Sequence, residues 1–487
     1  MTNRFFKNVV AAALACGGLS MTIVAWNSLP LPVQEVAPSD GDVAILPQVE
    51  QRLGVAGSSI VRLDVPTTIG SISLVAVPLP DQTITLDLRP YSIRAAGYQL
   101  LVQGANGALV PHDPGPENTL RGEVWEMPDS SVHASVNEAG LHASIRMSDG
   151  GVWWIEPLFG RFPGATRDQH VVYRDTDVQR PGGLCGNVNI DAMPTAGDAD
   201  EDGGAAGGGG NCGGLCIAEL ACDADREYFQ FWGSVSAVQN RITSVINAVN
   251  NQYRNQVGIE HQITTIIVRT SEPDPYSSSD NDGLLCQFIN EWTSNQQSIA
   301  FDVAKLFTGR DIDGNVIGRA SNFGEICDRQ GSCDGSGGGL DDGAFCFSQN
   351  DCCGTFACAT DLASHELGHL WGAHHCNPCE GTTMHTPLQC ANTFAQFSIN
   401  EIVAHRNSRT CMCGSPTGCG NPVYVDSSAA GCEQGSASDP FDTVAEGIGY
   451  VCPGGAVNIT AGTYPEAINI NQSMTLHAVG GTVNIRP

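Results

Sequence analysis

The chain has 487 residues, 41% of them hydrophobic, which allows two to four domains with cores of their own. A formal net charge of −29 argues against nucleic acid and against anionic membrane surfaces as partners, and reads instead as solubility with some affinity for calcium. Twenty cysteines argue against a reducing cytosol and for an oxidising compartment.

Arg4 and Lys7 precede an apolar run from Val9 through Ala25, the layout of a secretory signal. Cleavage after Ile23-Val24-Ala25 would make residues 1–25 a signal peptide. Two alternatives stay open: Leu14-Ala15-Cys16-Gly17 resembles a bacterial lipobox with Cys16 as the anchored residue, and the run approaches membrane-spanning length. No second stretch is apolar enough to cross a bilayer. The expected location is therefore secreted, extracellular or cell-surface, with a bacterial source favoured.

Residues 27–60 are rich in Pro and Val without a clear period and are expected to be extended. From Ile60 to Pro157, alternating runs such as Ser71–Val77 and Thr83–Leu88 are separated by turns containing Gly and Asp, which predicts a β-rich module over residues 26–196. Arg121-Gly122-Glu123-Val124, Ser130-Ser131-Val132, Gly140-Leu141 and Trp154-Ile155-Glu156-Pro157 follow in an order that resembles the prodomain of reprolysin-type (adamalysin) metalloproteases. That resemblance gives Cys185, in Arg180-Pro181-Gly182-Gly183-Leu184-Cys185-Gly186, the role of a cysteine switch. Its thiolate would occupy a zinc ion's fourth position. The alternatives are an ordinary disulfide cysteine, or Cys216 in a second Gly-Gly-Leu-Cys as the switch. With Cys16 in the signal nineteen cysteines remain, and setting Cys185 aside leaves an even eighteen to pair.

Residues 197–215 are acidic and glycine-rich and read as a linker where activating cleavage is expected. Asp198, Asp200 and Asp202 begin like a calcium loop, but the glutamate needed at its twelfth position is missing. A catalytic domain is expected over residues 216–413. Ile217–Cys222 is its predicted first strand; Val235, Val238, Ile242, Val245, Ile246 and Val249 recur at helical spacing, and Ile263–Val268 reads as a buried strand. Strand, helix, strand implies an α/β sheet. Ala304–Gly309 and Ile317–Ala320 again resemble the reprolysin catalytic domain, which implies that the strand near Gly318–Phe323 is the sheet edge that pairs with extended substrates. Asp311, Asp313 and Asn315 read as a hairpin turn, with calcium as the alternative. The six cysteines from Cys327 to Cys358 predict a disulfide-stapled loop.

His365-Glu-Leu-Gly-His-Leu-Trp-Gly-Ala-His-His375 follows. His365 and His369, four residues apart, share one helix face and can reach one metal ion. Gly372 can end the helix in a left-handed turn and return His375 as a third nitrogen, the open three-ligand arrangement of a catalytic zinc. Glu366, beside the first ligand, is placed as general base. The extended motif, with Met384 as the Met-turn nine residues on, is that of the metzincin proteases. Trp371 reads as packing and His374 has no assigned role. Cys376 stands where reprolysins usually carry Asp; it opens Cys376-Asn-Pro-Cys379, a redox motif or a pin for the turn. Phe397–Ile402 predicts a closing helix.

Residues 414–487 change character: Val423–Asp426, Asp439–Val444 and Ala461–Glu466 resemble the opening coil of a right-handed parallel β-helix. Strands are expected at Ala456–Ile459, Ala467–Ile470, Met474–Ala478 and Val483–Ile485, with a Cys432–Cys452 staple. The fold expected is thus multidomain: a β-rich prodomain, an α/β metzincin domain with a mixed twisted sheet, and a short β-helix-like segment. The function expected is that of a secreted zinc-dependent metalloendopeptidase acting on proteins or peptides, made as a latent zymogen. A non-catalytic zinc-binding surface or adhesion protein is the alternative, which Glu366 argues against.

Overall fold

The computed structural model describes residues 40–66, 73–187, 215–333, 341–349, 353–409, 411, 419–429, 435–437, 440–466, 468–470 and 472–486. The signal, the linker residues 197–214, Cys16, Cys212 and Cys432 lie outside them. The described residues fall in one compact unit, Pro32–Pro487.

A first sheet of eight strands is antiparallel throughout, in the order Ser59–Arg62, Gln169–Arg174, Val152–Pro157, Gly140–Arg146, Met127–Asn137, Thr119–Val124, Thr83–Pro90, Ser73–Pro78. Alternate residues such as Val75, Val77, Ile84, Leu86, Val132 and Ile145 are buried in one apolar cluster, as the period-two pattern demands. A second, mixed sheet runs Leu184–Cys185, Val316–Ala320, Phe345–Gln349, Val303–Thr308, Cys216–Ala224, Ile259–Val268, Arg94–Gln103, Leu109–His112. The boundary between the two regions is therefore not a packing boundary. Arg94–Gln103, expected in the β-rich module, pairs parallel with Ile259–Val268 and brings its hairpin partner Leu109–His112 onto the far edge.

The long helix Val235–Val257 lies between the sheets. Val238, Ile242, Val245, Ile246 and Val249 join the main core, as their spacing predicts. Its polar side is also covered: Asn247 Nδ2 donates to Ala134 O at 2.8 Å and Asn251 Nδ2 to Ser144 O at 2.9 Å. The first sheet thus sits on the helix through hydrogen bonds that water could replace.

Several expectations are corrected. Asp40–Leu53 is a helix, not extended chain, with Pro47 inside it. Buried Asp42 accepts both ends of the Arg62 guanidinium at 2.9 Å, and Val49 and Leu53 enter the core, so long-range contacts override a sequence without period. The cysteine-rich segment is not a loop throughout: Cys346 is a free thiol inside the strand Phe345–Gln349. Cys222 and Cys185 are free as well, so an even remainder does not by itself single out Cys185. At the C-terminus Cys452 pairs with Cys419, not Cys432. There, Val423–Val425, Ala456–Tyr464 and Thr475–Ile485 form a parallel three-stranded sheet. The two last expected strands are one, and Ile468–Ile470 is not a strand.

Candidate metal centre and active site

The helix Phe356–Leu370 carries the motif. Thr355 caps it, its side chain accepting from Cys358 N at 3.1 Å, and the chain turns at Gly372 with φ +90°. A second carboxylate attends its start: buried Glu156 accepts Phe356 N at 2.6 Å, and Tyr173 Oη accepts Ala357 N at 3.2 Å. An anion at a helix N-terminus is favoured by the helix dipole. Glu156 comes from the first sheet, so that sheet holds the front of the active-site helix.

His365, His369 and His375 converge, with Nε2–Nε2 distances of 3.1, 3.1 and 3.2 Å. His365 Nδ1 faces Thr383 O at 2.6 Å and His369 Nδ1 faces Ala373 O at 2.8 Å. Carbonyls accept only, so these Nδ1 atoms carry the protons and leave both Nε2 atoms as lone pairs. Burial and the neighbouring imidazoles hold His369 neutral, and burial pushes His365 down to about 3. Neutral lone pairs pressed together repel unless a cation lies between them, and an edge of about 3.4 Å is what tetrahedral zinc–nitrogen bonds need. The residues fit a zinc ion.

Cys185 completes the cluster: its sulfur and the three imidazole nitrogens lie within 4.8 Å of one another. Sγ is 3.5 Å from His369 Nε2 and 3.5 Å from Glu366 Oε2. The segment around it is a strand. Leu184 N donates to Asn315 O at 2.8 Å and Gly186 N to Gly318 O at 2.9 Å, parallel to Val316–Ala320, which overlaps the first part of the edge strand expected near Gly318–Phe323 and is here covered by Leu184–Cys185. On the other side Leu388 N donates to Gly183 O at 3.0 Å, so the segment is gripped from both walls. A Cβ on Gly183 would come within 2.3 Å of the Ile317 side chain, which would have to move to admit one.

Glu366 is fully buried, and its Oε1 has no partner. Burial pushes its carboxyl up to about 8, opposed first by the ammonium of Lys305. A Cβ on Gly318 would lie 2.5 Å from that Oε1, so the edge strand approaches the carboxylate only because it lacks a side chain. Burial and then Glu366 raise the Cys185 thiol well above its ordinary range. A bound divalent cation inverts this ordering and favours the thiolate.

Met384 is buried under the helix, and a Cβ on Gly368 would meet its sulfur at 2.6 Å. The turn is held from residues the motif does not contain. Asp361, one turn before His365, accepts Thr383 Oγ1 at 2.7 Å and Asn392 N at 2.9 Å, and Gln252 Nε2 donates to Thr383 Oγ1 at 2.9 Å. Sequence reasoning missed Asp361, although its position four residues before His365 on the same face signals it. Glu156 and buried Lys305, which donates to Ser348 Oγ at 2.7 Å, were also missed and carry no local signal. Trp371 is packing, its indole donating to His261 Nε2 at 3.0 Å. His374 Nδ1 pairs with Glu401 Oε1 at 2.6 Å, tying the third-ligand loop to the closing helix Gln396–Ser408. Cys376 and Cys379 form a disulfide, and Cys376 N donates to Met384 O at 2.9 Å. Among the described residues the other convergent donor group is Asp302 with Cys327 and Cys411, and those two cysteines are joined in a disulfide. Asp311 and Asp313 belong to neither group.

A helix-borne histidine pair, a returning third histidine and a buried carboxylate with one unpartnered oxygen fit the layout of a metallopeptidase centre. Residues 217–428 match the reprolysin-type model of metallo-peptidase family M12. That match supports a reprolysin-like metalloprotease with metalloendopeptidase activity, and family M12 is zinc-dependent. Among solved structures it is similar to metalloproteinase-II from Bacteroides fragilis, at 15% identity over 69% of this chain and 92% of that one, with a TM-score of 0.38. No helix among the described residues is long and apolar enough to cross a membrane.

Proposed function

We propose that the chain is a secreted zinc-dependent endopeptidase made as a latent zymogen. In this reading His365, His369 and His375 hold the zinc, Glu366 is the general base, Met384 floors the site and Cys185 is the cysteine switch. One observation carries it: the Cys185 thiol converges with the three imidazole nitrogens while its own strand fills the edge of Val316–Ala320. A thiol there occupies the place of the catalytic water, and its strand occupies the place of a substrate.

When bound, zinc would lower the pKa of a water molecule and polarise the scissile carbonyl. Glu366 would take that water's proton, and its partnerless Oε1 supports this role. Val316–Ala320 would hold an extended peptide once residues 183–187 leave, and Leu388 N, now bonded to Gly183 O, would be freed for it. The parallel strands of residues 423–485 support a β-helix-like appendage. Calcium has no part in the proposal.

The test is cleavage of a mixed quenched-peptide library by the full chain, by Cys185→Ala and by Glu366→Ala. Chelator-sensitive turnover by uncut Cys185→Ala, far above that of the uncut parent, is expected, with none from Glu366→Ala. Equal activity of parent and Cys185→Ala before any cleavage would remove the switch. Silence of both, with zinc bound, would remove the catalytic assignment.

A further inference from the structure

A cavity of about 230 Å³ opens between the first sheet and the start of the long helix, and no residue of the histidine cluster lines it. Phe159, Pro157, Ala139 and Trp232 give it apolar walls. Arg241 lines it too, and only 6% of that residue is exposed. The guanidinium lies 5.2 Å from the Trp232 ring and 5.4 Å from the Phe356 ring. Among the described residues it makes no ion pair and no hydrogen bond. The nearby Glu156 carboxylate is already taken by Arg161, Tyr173 and Phe356 N. The single acidic residue in the lining, Glu138, is exposed.

A buried guanidinium stays charged, and a buried charge without a counter-ion costs several kcal/mol. Rings on two sides recover part of that cost, because the face of an aromatic ring attracts a cation. The Glu156 charge offsets more of it at longer range, and what remains falls to whatever fills the cavity, water or an anion. A second feature favours the anion: Ser234, Ser236 and Ala237 in the lining are the N-cap and part of the first turn of a 23-residue helix, whose positive end faces this region. In a chain of net charge −29, a cavity of this sign is a local exception.

We propose that this cavity binds a small organic carboxylate. Its carboxylate pairs with Arg241, and its apolar body, about the size of one ring, rests on Trp232, Phe159 and Pro157. The walls come from both the β-rich region and the enzyme's long helix. A ligand there therefore binds the assembled arrangement and stabilises the latent chain against separation of the two. The binding does not depend on the zinc centre; its effect on latency rests on the zymogen reading above.

The experiment is calorimetric titration of the purified full chain with phenylacetate, indole-3-acetate and hexanoate, with phenylacetamide and acetate as controls. At least one of the first three should bind saturably, with both controls at least about tenfold weaker. Arg241→Met should weaken that binding by about tenfold or more. Ser236→Trp, placed on the exposed rim to fill the cavity, should do the same. If Arg241→Met fails to fold, Ser236→Trp decides alone. No saturable binding of any carboxylate by folded parent chain, equal binding of phenylacetamide, or binding unmoved by Ser236→Trp would overturn the proposal.

Discussion

Glu366 and Cys185 share one small volume, and each substitution there has its own signature. Glu366→Gln keeps the shape and removes the base, so turnover of activated enzyme should fall about 10²- to 10⁴-fold while bound zinc, read by metal analysis, stays. Loss of zinc together with activity would make Glu366 a structural partner of the site instead. Gly368→Ala drives a methyl into the Met384 sulfur, now 2.6 Å from where that carbon would sit. Overpacking of this kind should lower stability by about 1–3 kcal/mol in denaturant titration. His365, His369, Glu366 and Met384 were legible because helical spacing and one short turn are local facts. The Nδ1 contacts that orient the histidines were not, since Thr383 O is supplied by a distant turn held by Asp361 and Gln252.

Among elements, the active-site helix depends on the first sheet. Glu156→Gln keeps an acceptor for Phe356 N but removes the charge at the helix start and the partner of Arg161. The full chain should unfold about 1–3 kcal/mol more easily. If the proposed activation frees the enzyme of that sheet, the activated form should be unaffected in turnover. An equal loss in both would mean that the region stays attached after activation. The period-two runs of the first sheet and the 3.6-residue period of Val235–Val257 could be read directly from sequence. The transfer of Arg94–Gln103 to the enzyme's sheet could not, because a strand's sequence states which face is apolar and not which neighbour it will pair with.

For the whole molecule, acid should loosen the full chain at His170. This fully buried ring accepts Leu141 N at 2.9 Å, and burial pushes it down to about 4 from an ordinary 6.5. A depressed histidine binds its proton more readily in the unfolded chain. Its contribution is therefore complete above about pH 6.5 and is lost as pH falls towards 4. Over that window His170→Gln should lose about 3 kcal/mol less stability than the parent in denaturant midpoints taken at each pH. Parallel curves would show that His170 does not titrate with unfolding. Removing the metal with a chelator at neutral pH should lower the thermal midpoint of the full chain and also of Cys185→Ala, because the folded imidazoles bind the ion and the unfolded ones do not. A midpoint unmoved in both would mean that the cluster holds no ion.

By itself the sequence determined the local arrangement: which nitrogens can meet at one metal, that a glutamate stands beside the first of them, and which glycine turns the chain; it also singled out a cysteine upstream as the proposed switch. These follow from spacing along one helix and one turn, where a few residues set the geometry. Only the tertiary structure decided how that chemistry is restrained. Cys185 reaches the histidines because its strand pairs with the edge of a sheet whose far side is completed by Arg94–Gln103 and Leu109–His112. It also decided that Cys222 and Cys346 stay unpaired, that Glu156 supports the active-site helix, and that Arg241 lies beside a cavity without a counter-ion. Each of these joins residues far apart in the chain, where contact is set by which surfaces bury one another and not by local pattern.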